Sequence, residues 1–185
     1  FCHQLSWCQR CQNVFSNRFI LNSFCKVFGN FIIDIIETYQ KALNPISHLL
    51  HQKNIHLSEV NLLTKTQFEY DEARLIQVFQ NILGNALKFT DEQGTIQAKF
   101  QEKDNQLIIR ILNTGKQIPE DDLNLIFDKF YQSRNQNIRK PLGSGLGLAI
   151  CRKIMQAHKG NISAENNGLG VSFVLKLPLN TQKQQ

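Results

Sequence analysis

In GSGLGLAICRKI, Gly143 to Ile154, a run of alternate glycines opens directly into an apolar-periodic stretch. Gly143, Gly145 and Gly147 permit backbone angles and close approaches that a Cβ forbids. Leu146, Ala149, Ile150, Ile154 and Ala157 then recur at helical spacing, which predicts a helix beginning inside the glycine run. The first N–H groups of a helix are unpaired and lie at the positive end of its dipole, an arrangement suited to phosphate. Two familiar phosphate loops are excluded. A polar loop, SRNQNIRKPL, precedes the glycines where GxGxxG would require a strand, and no GK[ST] follows them. What remains is a phosphate loop of another kind, or a flexible turn capping a core helix.

Charge bears on that choice. The chain has 185 residues and a net charge of +6. Between residues 129 and 159 stand Lys129, Arg134, Arg139, Lys140, Arg152, Lys153 and Lys159, with no Asp or Glu. A basic segment around the glycines fits a polyphosphate ligand. Nucleic acid is the competing partner, but few aromatics are interleaved with the charges after Tyr131 and no groove-reading helix pattern is present. No nucleic-acid partner is therefore expected.

The five cysteines, Cys2, Cys8, Cys11, Cys25 and Cys151, form an odd, scattered set typical of a reducing compartment. Trp7-Cys8-Gln9-Arg10-Cys11 has the WCxxC form of a redox pair. No βαβ unit flanks it, and Cys2-His3 is too cramped to complete a zinc site, so incidental cysteines are the reading. The most apolar stretch, residues 19–36, is interrupted by Asn22, Lys26, Asn30 and Asp34, so no membrane contact is expected and the expected location is cytoplasmic. The chain starts with Phe and shows no signal-peptide pattern, as expected of a piece of a longer polypeptide.

The periodicities give an order of elements. Val27-Phe28 reads as a short strand. Ile32, Ile33, Ile36, Tyr39, Leu43, Ile46 and Leu50 mark a helix face to about Lys53, which Pro45 kinks or breaks. Residues 55–63 and 68–70 read as strands. Asp71 caps a helix striped by Leu75, Val78, Phe79, Ile82, Leu83, Ala86 and Leu87. Residues 95–100 and 106–112 pair as a hairpin, and Asn113-Thr114-Gly115 breaks the second strand. Pro119 opens a short helix to about Phe127. After the glycine helix, residues 162–165 and 171–177 form a last hairpin. The order implies an α+β, two-layer sandwich: a mixed, mostly antiparallel sheet with three helices on one face.

Within the capped helix, Asn81, Asn85 and Lys88 lie at i, i+4 and i+7 and share a face opposite much of the apolar stripe. Amide oxygens suit a hard cation such as Mg²⁺, and Lys88 can reach a phosphate as a point charge. Taken alone, the same three residues also describe a solvated polar face.

The motifs taken together carry more. NILGNALKFT, then NTGKQIPEDDLNLIFDKFYQ, then GSGLGLAICRKIMQAHKG, then GLGVSFVLKLP resemble, in order, the N box, first glycine box, phenylalanine box, second glycine box and terminal hairpin of the sensor histidine kinase ATP-binding domain, a member of the GHKL ATPase superfamily. The resemblance covers residues 27–178. Residues 1–26 are then unassigned or the remnant of a preceding dimerisation helix, and residues 179–185 are a polar tail.

The resemblance implies a histidine-kinase-like fold, ATP and Mg²⁺ as ligands, and a set of site residues. Asn85 would be the principal magnesium ligand with Asn81 beside it, and Lys88 a phosphate contact. Asn113 would face the adenine amine, Gly115 would give the ring room, and Ser172 would support that end of the pocket. Phe127 and Phe130 would anchor a mobile lid running to about Leu142, with Tyr131 beside the nucleotide. Gly143, Gly145, Leu146 and Gly147 would close over the phosphates.

Three positions depart from the family pattern. Asn113 stands for an Asp, Gln117 for a second glycine, and Gln132 for an Arg, which leaves Arg134 as the cation expected to replace it. No histidine sits in the family's acceptor box: His3, His48, His51, His56 and His158 all lack its context. The function implied is the catalytic part of a two-component kinase. It would transfer the γ-phosphate of ATP to a histidine on a dimerisation domain largely outside this chain, within a homodimeric parent that serves a cognate response regulator. The alternative is a degenerate nucleotide-binding regulatory module, which Gln117 and Gln132 favour.

Overall fold

The protein is represented by a computed structural model, which describes residues 31–133 and 144–179. The chain runs β1 (Phe31–Asp34), α1 (Ile35–Leu43), α2 (Ser47–Gln52), β2 (His56–Leu62), β3 (Gln67–Tyr70), α3 (Glu72–Phe89), β4 (Thr95–Lys103), β5 (Gln106–Thr114), α4 (Gly147–Ala157), β6 (Asn161–Asn166) and β7 (Gly170–Pro178). Five strands form one sheet in the order β2-β4-β5-β7-β6; β2 and β4 are parallel and the other pairs antiparallel. The strands β1 and β3 pair separately. Alternation decides which sheet face is covered. Ile96, Ala98 and Phe100 of β4 and Leu107, Ile109 and Ile111 of β5 are fully buried, and α1, α3 and α4 pack over them. The expected sandwich is thus observed, with α2 as a short fourth helix.

The sheet rests chiefly on α3. Asp71 caps it by accepting from Arg74 N at 3.1 Å. Leu75, Val78, Phe79, Ile82, Leu83 and Ala86 are buried along one stripe. At its far end Lys53 Nζ donates to the carbonyls of Leu87 at 2.9 Å and Thr90 at 3.2 Å, a cation where the dipole favours one. His158, just past α4, joins the two helices. Its Nε2 accepts from Asp71 N at 3.1 Å, which leaves Nδ1 to donate to Ile154 O at 2.9 Å and fixes the tautomer.

Several boundaries differ from the sequence expectation. The predicted helix starting near Ile32 begins at Ile35, and residues 31–34 are a strand. Asp34 makes the difference, because its carboxylate accepts from Ile36 N and Glu37 N and stops the helix from extending backwards. The buried face of α1 is accordingly Ile35, Thr38, Tyr39, Ala42 and Leu43. Pro45 does break the helix: a 3₁₀ turn at Asn44–Ile46 separates α1 from α2. Asn113 and Thr114 do not break β5 but extend it, paired to Val171 and Gly170 of β7. In place of one helix after Pro119 there are two 3₁₀ turns, Glu120–Asp122 and Leu125–Phe127. In α4 the buried residues include Cys151 and Met155, while Ala157 is exposed. Burial pushes the Cys151 thiol up to about 12, so it is a core side chain without thiolate reactivity. Val27-Phe28, Cys8 and Cys11 lie outside the described residues. Among the described residues, no helix is long and apolar enough to cross a membrane.

The Tyr39 ring is fully buried, edge-on to Phe79 at 5.6 Å and to Phe100 at 5.3 Å. Its hydroxyl has no hydrogen-bond partner among the described residues. A buried donor left unsatisfied costs more than the hydroxyl's packing returns. Tyr39→Phe is expected to raise stability by about 1 kcal/mol, which thermal or urea melting would register as a higher midpoint; a lower midpoint contradicts the assignment.

Candidate functional site

One cavity of about 340 Å³ opens beside α3. Asn81, Asn85, Lys88 and Phe89 of α3 form one side. Asn113 at the end of β5 and Lys116, Gln117, Ile118 and Pro119 of the following loop form another. Ile126, Tyr131, Gln132 and Ser133 lie along the rim, Ser144, Gly145, Gly147 and Leu148 at the start of α4, and Val171 and Phe173 on β7.

The face of α3 opposite its stripe supplies the polar groups, as the helical spacing requires. Asn81 is held in place: Nδ2 donates to Gln77 O at 3.0 Å, and Oδ1 lies 2.9 Å from where a Cβ on Gly147 would sit. Glycine at position 147 is what lets α4 approach Asn81 this closely. Lys88 Nζ lies 4.4 Å from the centroid of Phe89, and burial lowers its pKa from the ordinary lysine value. The N-cap of α4, Leu146, provides no side-chain acceptor, so the helix presents its first-turn N–H groups and positive dipole end beside Gly145 and Gly147. Asn81 thus meets the start of α4, and Asn85 and Lys88 line the same cavity farther along α3. That donor set fits a hard divalent cation that keeps waters and takes its remaining ligands from phosphate oxygens.

Asn113, Val171 and Phe173 form the buried side of the cavity. Asn113 is only 3% exposed, and its Nδ2 donates to Thr114 O at 3.3 Å, which turns Oδ1 away as an acceptor. Gly115 has φ +130, and a Cβ there would lie 2.5 Å from Phe89 O. The loop therefore packs against the end of α3 by backbone alone. The rim is tied by Asp122, which accepts from Tyr131 Oη at 2.6 Å and from the Ser133 hydroxyl. Phe130 N donates to Gly145 O at 2.9 Å and closes the rim onto the glycine turn.

Most of the expected site residues meet here. Asn81, Asn85, Lys88, Asn113, Tyr131, Gly145 and Gly147 all line the cavity, with Gly115 and Leu146 immediately behind it. Two expectations need correction. Ser172 pairs with Leu112, whose side chain is on the far sheet face, whereas Val171 pairs with Asn113 and lines the cavity. Strand alternation puts the side chain of Val171, not that of Ser172, in the cavity lining. Phe127 is buried edge-on to Phe173 at 6.4 Å and beneath the Arg152 guanidinium at 4.8 Å. Phe130, by contrast, is 72% exposed and anchors through its backbone. Arg134, Gly143 and the part of the expected lid beyond residue 133 lie outside the described residues. Sequence reasoning missed Phe89, Ile118, Ile126, Leu148 and Phe173, apolar walls that look like ordinary core positions in a linear sequence.

Comparison with known proteins identifies the architecture. The family described as histidine kinase-, DNA gyrase B- and HSP90-like ATPases matches residues 70–181. The chain belongs to that family. The signal transduction histidine-protein kinase BaeS of Escherichia coli is 36% identical over 116 residues, 62% of this chain and 25% of BaeS. The chain spans about a quarter of the length of the curated relatives it matches. The catalytic domain of the histidine kinase ThkA superposes with a TM-score of 0.71 at 28% identity, covering 83% of this chain and 97% of that domain. ThkA in complex with the response regulator TrrA matches with a TM-score of 0.74 at 26% identity, over 89% of this chain and 46% of ThkA. Full-length ShkA in complex with AMPPNP gives 0.74 at 26% identity, over 85% of this chain and 32% of ShkA. The fold is that of a histidine kinase catalytic domain.

Gly115 offers a test of the inner end. Any side chain there meets both an unfavourable φ and the Phe89 carbonyl. Gly115→Ala is expected to lower stability by about 2 kcal/mol or more, measured by denaturant melting. An unchanged midpoint would show that the loop can withdraw from α3.

Proposed function

We propose that the chain is the ATP-binding catalytic part of a two-component sensor histidine kinase. In this reading it binds Mg-ATP in the cavity and presents the γ-phosphate to a histidine of a dimerisation domain. The observation that carries the proposal is the polarity of the cavity. Amides, an ammonium and an uncapped helix start line it together with a buried amide, Asn113, that lies among the apolar Val171 and Phe173. A triphosphate and a purine base require these two environments. ShkA, whose fold is similar, was solved in complex with AMPPNP, which supports a nucleotide as the ligand.

Phosphoryl transfer of this kind rests on positioning and charge neutralisation, and the cavity residues suit it. Asn85 would hold Mg²⁺ through its amide oxygen with Asn81 beside it, and the ion would neutralise phosphate charge. Lys88 places a cation against the phosphates, and Gly145 and Gly147 let backbone N–H groups approach them. Arg134 is the further cation expected to serve the transferring group. Asn113 accepts from the adenine amine while Val171 and Phe173 exclude water from the base. His158 is buried with both ring nitrogens engaged and is not available as an acceptor. The acceptor histidine is assigned to the dimerisation domain of a homodimeric parent, and the onward partner to a response regulator, as ThkA has in TrrA. The site would work on the cytoplasmic side, where ATP is supplied.

Titrating ATP with and without Mg²⁺ tests the assignment. The unaltered chain should bind more tightly with Mg²⁺, and Asn85→Ala should abolish the difference and weaken Mg-ATP binding at least tenfold, about 1.4 kcal/mol. Equal affinities in the two conditions, with the variant unaltered, would remove the magnesium role.

Base selection tests the inner end. Asn113 is uncharged and does not repel the oxygen that guanine carries in place of adenine's amine. Turning its amide over to donate would break the long bond to Thr114 O and set Oδ1 toward that carbonyl, a smaller penalty than a full carboxylate charge facing guanine's oxygen. GTP is therefore expected to compete better against the unaltered chain than against Asn113→Asp, by roughly tenfold, the scale of one charge-assisted hydrogen bond. Competition titration on both forms decides it; equal exclusion of GTP overturns the argument.

A further inference from the structure

The loop from Gly115 to Pro119 forms a wall of the cavity and has no regular secondary structure of its own. Its shape has to be imposed from outside. One side chain does most of this. Asn166, the last residue of β6, accepts from Ile118 N through Oδ1 at 3.1 Å and donates to Ile118 O through Nδ2 at 2.7 Å. The second Nδ2 hydrogen goes to Glu120 Oε1 at 2.9 Å. The amide thus pairs with the Ile118 peptide as a neighbouring strand would, engaging both its N–H and its C=O. The orientation is fixed, because turning the amide over would set Oδ1 against the Ile118 carbonyl and the Glu120 carboxylate.

The next residue shapes the turn behind it. Asn167 Oδ1 accepts from Leu169 N at 3.2 Å and Gly170 N at 3.0 Å, and the turn so folded offers Leu169 O to Gly115 N at 3.2 Å. The loop is therefore fastened at both ends to the β6–β7 turn, and between the fastenings stand Lys116 and Gln117, side chains that line the cavity. Gln117 occupies a place where the motif resemblance leads one to expect a second glycine. A loop carrying side chains there needs firmer support to keep them clear of the base.

We propose that Asn166 is a positioning residue of the nucleotide site, which holds the loop from Gly115 to Pro119 as a preformed wall for the base. The inference rests on reading the cavity as an ATP site. Asn166 touches no ligand in this scheme. It acts by holding the Ile118 peptide, so its loss should be felt at the base end and not at the phosphate end.

Two variants of the full chain test this by titration with ATP and with adenosine. Asn166→Ala removes all three bonds and should weaken both ligands by the same factor, about tenfold. The ratio of ATP affinities with and without Mg²⁺ should stay at the value of the unaltered chain. Asn166→Asp is isosteric and keeps the acceptor for Ile118 N, but its carboxylate cannot donate to Ile118 O and faces Glu120. Each carboxylate makes the other easier to protonate, and a protonated carboxyl can donate again. The weakening in Asn166→Asp, taken relative to the unaltered chain at each pH, should therefore be largest near pH 8 and shrink toward pH 5. Circular dichroism at the titration temperature establishes that each variant is folded, and if Asn166→Ala is not, the pH profile of Asn166→Asp carries the test. Affinities unchanged in a folded variant, a deficit independent of pH, or a matching fall in the magnesium ratio would each overturn the inference while leaving the ATP site intact. Failure of the unaltered chain to bind ATP would overturn the reading of the site and this inference together.

Discussion

Everything in this domain depends on α3 being two-sided. Its apolar stripe is the platform on which the sheet folds, and the opposite face supplies Asn81, Asn85 and Lys88 to the cavity. The two demands reinforce each other. Burying Val78, Phe79 and Ile82 fixes the rotation of the helix about its axis, and that rotation aims the amides. With 3.6 residues per turn, a one-residue change of register would swing the polar face through about 100°. Packing energy spent on the core therefore also sets the direction of the binding groups, and the caps at Asp71 and Lys53 hold the helix ends against fraying.

The second helix of the site is slaved to the first. His158 ties the end of α4 to the cap of α3, Cys151 leans on Val78, and Gly147 lets the start of α4 close on Asn81. The part of the cavity proposed for the phosphates is consequently built from two helices whose relative placement is set at three levels. The part proposed for the base is built differently. There a strand end, a turn and an irregular loop meet, held by side-chain amides in place of packed stripes.

That contrast explains what could be read from the sequence. The stripe of α3, its Asp71 cap, the β4–β5 hairpin and the glycine helix were all legible, because each is local and periodic. The start of α1 was not: Ile32, Ile33 and Ile36 fit a helix as well as a strand, and only the Asp34 cap separates the two. Ser172 was misplaced because a strand's facing depends on its partner's register, and the Asn113–Val171 pairing is a contact between distant segments. Ile126, Leu148 and Phe173 could not be told from core residues, since the cavity they line is an absence between elements that no linear pattern records. The grip of Asn166 on Ile118 was equally silent, as an Asn before Asn-Gly reads simply as turn chemistry.

The bond from Phe130 N to Gly145 O has a consequence for how such domains diversify. It joins the chain at the neck of the interval between those residues, and none of the described residues inside it, 131–133 and 144, belongs to the buried core. Lengthening a closed interval costs little, roughly 0.6 kcal/mol for each doubling of its span. A segment fastened in this way can be rewritten, extended or exchanged among relatives without refolding the scaffold. The neck thus marks where novelty can be grafted onto this architecture at low thermodynamic risk.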